Sequence, residues 1–255
     1  MSRGNNSIRE GLKSYFSRRA RQYDHSSGWV DDKPLINKIR RLARVSSREN
    51  LLDIAIGTGK IAQAFTGRAK YVVGLDICPK MAAYAKGKAD KIFLADAEKL
   101  PFKNDSFDAC VCRQGMQFME LDAALSEIYR VLKPGGRVIL CHLAAYGKLD
   151  SKEAFLIQKL RNPARKNFFL PGDFARLMRN KSFADIEASG YITRESVNRW
   201  IANSAIDEDR KNKIRKAYVN SSRIFRRLHH IEFKDGDIFD SMKMVIVRAS
   251  KRKGA

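Results

Sequence analysis

The chain has 255 residues with 44% hydrophobic side chains, enough for a packed core, which excludes a wholly disordered basic tail and predicts one large domain or one domain with appendages. Lys and Arg number 50 against 28 Asp and Glu, a net charge of +22 that points toward an anionic partner but says nothing about fold. No apolar run approaches the ~20 residues of a membrane span, and the opening stretch MSRGNNSIREGLKSYF has no apolar segment of the signal-peptide kind.

In chain order, residues 1–48 carry Leu12, Tyr15, Phe16 and Ala20 at helical spacing and predict a helical cap. Residues 49–193 alternate strand-like and helix-like runs, the mark of a mostly parallel α/β sheet. Leu51–Ala55 predicts a strand ending at Gly57-Thr58-Gly59, followed by a helix to about Phe65. Tyr71–Leu75 is a second strand ending at Asp76, with a helix over Pro79–Lys86. Lys91–Ala95 is a third strand ending at Asp96, and Phe107–Cys112 a fourth. Leu121–Leu132 is helical, Lys133-Pro134-Gly135-Gly136 is a turn, and Arg137–His142 is a fifth strand. Their continuous apolarity suits strands buried on both faces. Ser151–Leu160 and Gly172–Asn180 read as helices and Phe183–Thr193 as a sixth strand. Residues 194–240 are too many for a plain loop and predict a basic helical insertion, a substrate lid, with a helix over Glu208–Val219. Residues 241–255 supply a final strand, MKMVIVRA, and a basic tail expected to fray.

Cys78, Cys110, Cys112 and Cys141 all fall in apolar or strand-like segments, which reads as reduced, buried thiols of a cytoplasmic protein, with no metal site implied. The charge is uneven. Residues 1–50 hold 12 basic and 5 acidic side chains (+7), residues 51–150 hold 14 and 11 (+3), and residues 151–255 hold 24 and 12 (+12).

The motif that carries chemistry is LDIAIGTGKIAQAF (residues 52–65), a strand running through Gly57-Thr58-Gly59 into a helix, so that backbone can approach a ligand closely. Ala55 stands where a dinucleotide fingerprint would have its first glycine, and no Gly-Lys-Ser/Thr follows, which disfavours a pyrophosphate cofactor or a Walker A loop. Asp76 at the end of the second strand can accept both hydroxyls of a ribose, and Asp96 at the end of the third can accept from an adenine amino group. Three strand ends at one sheet edge suit a nucleoside without a diphosphate.

The segments LLDIAIGTGK, VVGLDICPKM, FLADAEKLPFKNDSFDACVCRQGMQFM and RVLKPGGRVIL, spanning about residues 50–142, resemble the class I S-adenosylmethionine-dependent methyltransferases, in particular the ubiquinone- and menaquinone-biosynthesis type and related small-molecule enzymes. The resemblance implies a Rossmann-like sheet of seven strands, the last antiparallel, binding S-adenosyl-L-methionine and releasing S-adenosyl-L-homocysteine. It places Gly57, Thr58 and Gly59, with Ala55 in place of a frequent glycine, under the methionine part, and Asp53 beneath its amino group. It places Asp76 on the ribose, Ile77 and Met81 beside the adenine, Asp96 and Ala97 at its amino group, and Arg113 and Gln114 at the methyl-bearing end. Tyr23, like Tyr15, is of the type that covers the cofactor.

Methyl transfer to a protonated nucleophile needs a base, and His142 at the end of the fifth strand and His25 in the cap are the candidates; His229-His230 reads as surface or substrate contact. For the acceptor, a small molecule among Phe168, Phe169, Trp200 and Ile201, with Arg161–Lys166 meeting an anionic group, competes with an RNA on a track of Arg210–Lys216, Arg223, Arg226 and Arg227. The missing RNA-binding module, and Arg113-Gln114-Gly115-Met116 where an amino-methylating Asn-Pro-Pro-Tyr would stand, favour the small molecule. A third class is a cofactor-binding partner subunit that does not methylate.

Overall fold

The computed structural model describes residues 3–253. Its centre is a twisted sheet in the order β3-β2-β1-β4-β5-β8-β6, with a short β7 paired to β8. The chain runs α1 (Arg3–Arg19), α2 (Lys33–Ala43), β1 (Asn50–Ile54), α3 (Lys60–Gln63), β2 (Tyr71–Asp76), α4 (Pro79–Tyr84) and β3 (Lys91–Leu94). It continues with β4 (Phe107–Arg113), α5 (Leu121–Val131), β5 (Leu132–Leu143), α6 (Lys148–Arg161), α7 (Asp173–Asn180) and β6 (Ala184–Ser196). The insertion holds α8 (Val197–Ile201), α9 (Glu208–Val219), α10 (Arg223–Leu228) and β7 (Glu232–Lys234), and β8 (Asp237–Ser250) closes the chain.

The pairs β1–β2, β2–β3, β1–β4 and β4–β5 are parallel, while β8 runs antiparallel to both β5 and β6. Strands buried on both faces explain the continuous apolar runs. Leu51, Ala109, Ile139 and Ile246 face the core shared with α2, α3, α6 and the insertion. Their neighbours Leu52, Cys110, Leu140 and Val247 face the core shared with α5 and α7. Each such fully buried aliphatic contributes ~1.5–3 kcal/mol relative to exposure. All four cysteines are buried free thiols; burial pushes the Cys112 and Cys141 thiols up to about 12, so they sit in the core as small protonated side chains.

After β1 the chain builds β2 and β3 on one side, then crosses to β4 and β5 on the other. The resulting switch between β1 and β4 opens a crevice at the carboxyl ends of the strands, and the N-terminal region folds over it: α1 packs on α4, and Arg113 at the end of β4 donates to the carbonyls of Trp29 and Val30 at 2.8 and 3.2 Å.

Three strands are longer than the sequence pattern predicts. β5 begins at Leu132 and takes in Lys133-Pro134-Gly135-Gly136, expected as a turn, as an irregularity in its pairing with β4 between Phe107 and Ala109. β6 extends to Ser196, and β8 starts at Asp237 rather than near Met242, because the Asp235-Gly236 turn, both residues in the left-handed region (φ 51° and 72°), folds β7 back on β8 as a hairpin. Lys251 of the tail is held by backbone hydrogen bonds to Gly135 and Gly136; Gly254 and Ala255, the end of the expected frayed tail, lie outside the described residues.

Candidate active site

The cleft at the sheet edge holds about 840 Å³ of empty space, part of it open to solvent. Of the thirteen residues expected around a cofactor, ten line it: Tyr23, Ala55, Gly57, Asp76, Ile77, Met81, Asp96, Ala97, Arg113 and Gln114. The other three act from behind. Asp53 accepts the N–H of Ala62 at 2.9 Å, fixing the turn into α3. Thr58 donates to Asp24 of the cap at 2.6 Å, and Gly59 precedes α3 with φ 81°. Gly57 (φ 58°) and Gly59 adopt the left-handed backbone that a side chain disfavours; Ala55 adopts it as well (φ 56°), a strained position for a non-glycine residue beside a ligand cleft.

Asp76 is 8% exposed, and each of its oxygens takes one backbone N–H, Gly57 at 2.9 Å and Cys78 at 2.8 Å. Each oxygen keeps a further lone pair for hydroxyls. Burial pushes its pKa up, against the pull of those N–H groups. Asp53 is pushed up to about 7, first by burial and further by the charge of Asp76, while Arg113 and the Ala62 N–H pull it down. Two buried carboxylates, both shifted upward by burial, would gain from a cationic ligand above them. Gln114, forced to φ 59°, leaves its side-chain amide nitrogen buried with no partner in the protein. These features fit a nucleoside carrying a cationic chain.

The geometry corrects the histidine expectation. His142 is fully buried, packed among Phe169 and Phe174, and its Nδ1 donates to Gln117 Oε1 at 3.1 Å. Burial, then the charge of Arg165, pushes its pKa well down, and it does not line the cleft. His25 is exposed at the end of the 3-10 turn Ala20–His25, also outside the cleft lining. His229, read as surface or substrate contact, is instead buried between Asp150 and Asp240, with contacts at 3.0 and 2.8 Å. Tyr15 turns away from the cleft and donates to the carbonyl of Arg161. Phe169 and Ile201 are core residues, while Trp200 does line a second chamber.

Several lining residues escaped sequence reasoning. Arg9 reaches over from α1 to Asp96 at 2.5 Å and Glu98 at 2.9 Å. Phe118 and Met119 also line the cleft, beside Lys166 of the Arg161–Lys166 segment read as meeting an anionic group. The helical spacing of Leu12 and Phe16, and Tyr23, all three on the cleft, signalled the cap's contribution.

Residues 52–140 match the family model described as a methyltransferase domain. The malonyl-[acyl-carrier protein] O-methyltransferase of Serratia marcescens is 30% identical over 175 residues, spanning 67% of this chain and 67% of that protein. The chain belongs to the S-adenosylmethionine-dependent methyltransferases. The demethylmenaquinone methyltransferase of Streptomyces avermitilis is 34% identical over 139 residues, 52% of this chain and 60% of that one. Among solved structures, the YcgJ protein of Bacillus subtilis shares the fold with a TM-score of 0.79 at 23% identity, covering 86% of this chain and 98% of its own. Two structural neighbours that share the fold, the phosphoethanolamine N-methyltransferase 2 of Haemonchus contortus and the geranyl diphosphate C-methyltransferase of Streptomyces coelicolor, are themselves solved with S-adenosylmethionine and S-adenosylhomocysteine.

Proposed function

We propose that this methyltransferase transfers the methyl group to an O, N or C atom of a small molecule held in a chamber adjoining the cofactor cleft. The observation that carries the reading is a second chamber, about 440 Å³ of empty space with part of it open to solvent, that shares Phe16, Tyr23, Gln114 and Phe118 with the cleft. A chamber opening on the residues expected at the methyl-bearing end supplies the alignment on which methyl transfer depends. Bound S-adenosylmethionine supplies an electrophilic sulfonium methyl. In this reading Asp76 takes the ribose hydroxyls, Ile77 and Met81 flank the adenine, and Ala97 and Asp96 meet its amino group. Gly57, Thr58 and Gly59 pass under the methionine part above Asp53, Gln114 faces the reacting end, and Arg113 holds the cap closed through Trp29 and Val30. Positioning carries the catalysis, and neither His142 nor His25 is assigned as base.

Much of the basic track considered for RNA is engaged internally: Arg210 with Asp207, Lys211 with Glu208 and Lys213 with Asp209. That favours the small acceptor, with residues 1–48 as its cap and 194–240 as its lid. The four buried thiols agree with a cytoplasmic setting. The test is thermal: S-adenosylhomocysteine should raise the melting temperature, and Asp76→Ala should abolish most of that rise. No rise for the parent protein would refute the cofactor site, and failure to label any acceptor from a cell extract with methyl-labelled S-adenosylmethionine would favour a non-catalytic partner subunit.

A further inference from the structure

The second chamber is lined by three arginines from two distant parts of the chain, Arg19 on α1, and Arg161 at the end of α6 with Arg165 in the loop after it. They are 4%, 7% and 5% exposed. No Asp or Glu lines the chamber, and none of the three forms an ion pair among the described residues. Their hydrogen bonds go to neutral groups: Arg19 to the Ser26 hydroxyl at 2.8 Å, Arg161 to the Trp200 carbonyl and Ser27 hydroxyl at 3.2 and 3.3 Å, and Arg165 to the Asn167 carbonyl at 3.0 Å. Glu195, the carboxylate whose charge Arg161 feels, is already engaged by Arg199 and by the N–H of Gly28.

Aromatic rings take the place of counterions. Arg161 stacks 4.5 Å from the Trp200 ring, Arg19 5.0 Å from Tyr23 and Arg165 5.2 Å from Phe168. Such contacts soften the burial of a cation without neutralising it. The strain shows electrostatically. Burial, then the charge of Arg19, holds Arg161 down at about 10, and burial, then Arg161, holds Arg165 down at about 9, so both remain cationic at neutral pH.

The same wall carries unused donors. Arg19 Nε, Arg165 Nη2, Asn162 Nδ2, Gln114 Nε2 and Trp200 Nε1 are all buried and have no partner in the protein. Against five donors stands one unpartnered acceptor, Gln158 Oε1. Three buried guanidiniums without a carboxylate, with an excess of free donors, call for a group that only accepts and carries more than one negative charge. A phosphate monoester does both, whereas a carboxylate brings a single charge and two oxygens.

Building on the small-molecule reading above, we propose that this chamber is an oxyanion site that anchors the phosphate of a phosphorylated methyl acceptor on Arg19, Arg161 and Arg165, with Gln114 between that anchor and the methyl-bearing end of the cofactor cleft. The phosphate would fix one end of the acceptor and leave its nucleophilic atom directed at the cleft.

The test uses the full chain saturated with S-adenosylhomocysteine and titrated with inorganic phosphate, with chloride and acetate at matched ionic strength as controls, followed by melting temperature and calorimetry. Phosphate should give a saturable stabilisation that chloride and acetate do not. Arg165→Gln should weaken phosphate binding by at least about tenfold, the value of one or more charged hydrogen bonds, yet leave the S-adenosylhomocysteine shift intact. A purely structural Arg165 would behave oppositely: its loss would lower the melting temperature of the ligand-free protein, whereas removing an uncompensated buried charge should hold or raise it. Arg19→Gln is the independent second variant. Phosphate acting no differently from chloride, or binding Arg165→Gln and Arg19→Gln as it binds the parent, overturns the proposal. In a second arm, phosphatase treatment of a metabolite extract should remove its capacity to accept label from S-adenosylmethionine. Undiminished labelling, or label confined to RNA, overturns it as well. Failure of the S-adenosylhomocysteine shift in the parent protein would instead strike the methyltransferase site, so the two readings fail separately.

Discussion

His229 offers the sharpest test of how the insertion is fastened to the core. Its Nδ1 lies 2.8 Å from Asp240 Oδ1 and its Nε2 3.0 Å from Asp150 Oδ2. Asp240 also accepts from the Tyr218 hydroxyl at 2.8 Å, and Asp150 accepts the N–H groups of Tyr146 and Gly147 at the start of α6. The ring stacks on Phe225 at 3.9 Å. One imidazole therefore joins α6, α9, α10 and β8. Both partners are carboxylates, so the doubly protonated ring is the favoured form. Burial alone would lower its pKa, but the hydrogen bond and charge of Asp240, then of Asp150, outweigh burial and raise it above 6.5.

His229→Leu keeps the volume against Phe225 and Tyr146 but leaves two buried carboxylates facing each other without a cation. Removing one partner of a buried ionic group costs ~3–5 kcal/mol, which at ~2–4 °C per kcal/mol for a chain of this size is a drop of about 6–20 °C in melting temperature. The pH dependence has a definite sign. A raised histidine contributes stability that is fully present below its unfolded value near 6.5 and is lost as pH climbs through the higher folded value. The gap between parent and variant should therefore be widest below about pH 6.5 and narrow in more alkaline buffer, read by circular dichroism melts from pH 6 to 9. A variant melting within about 2 °C of the parent at pH 6, or a gap that widens with pH, would refute the ionic clamp.

Two more expectations concern the cofactor cleft. Because Asp53 is held near pH 7 by burial, and Asp76 is shifted in the same direction, binding a cationic ligand should release protons. Affinity for S-adenosylmethionine should improve from pH 6 to pH 8, by up to about tenfold per pH unit below 7, and calorimetry in buffers of different ionisation enthalpy should detect the release; Asp53→Asn should flatten the profile. The same raised value means that ionising Asp53 costs folding stability progressively as pH rises from about 4 to 7. His142→Leu strands Gln117 Oε1 and should cost ~1–3 kcal/mol of stability, but it should leave methyl transfer within about twofold of the parent; loss of turnover with normal cofactor binding would restore His142 as a base.

What the sequence made legible follows from how local each signal is. The strand-turn-helix from Leu51 to Gln63 shows itself because glycine spacing, apolar continuity and the Asp at the next strand's end all lie within about 25 residues. Helix α9 appears with the expected bounds, Glu208–Val219, since Asp207 caps it by accepting the N–H of Arg210. The start of β8 was missed because Ile238, Asp240 and Ser241 do not read as an apolar run; Asp240 is 2% exposed only because His229 and Tyr218 come to meet it. His229 beside His230 in a basic stretch carries no local mark of burial. The same holds for His142, which the motif placed at the right edge of the sheet. The side chain points into the layer of Phe169 and Phe174 rather than the cleft, and only tertiary packing decides between those two directions.

The net charge of +22 takes on a more definite meaning when its buried members are separated from the rest. Exposed pairs such as Lys213–Asp209 are worth little to stability, and their surplus tunes solubility and encounter. Arg19, Arg161 and Arg165 are of another kind. Arg19 comes from the basic first 50 residues and the other two from the basic final third, so the excess that flanks the nearly neutral cofactor segment contributes three charges to one enclosed wall next to it. Folding opposes such a cluster, both by desolvation and by mutual repulsion. A chamber that accumulates the opposing energy in the ligand-free protein returns it when an anion enters, and so binds more tightly than its contact area alone would give. That coupling predicts an ordering that surface charge cannot produce: adding salt should weaken any phosphate effect only modestly, because the three guanidiniums lie beyond the reach of bulk screening.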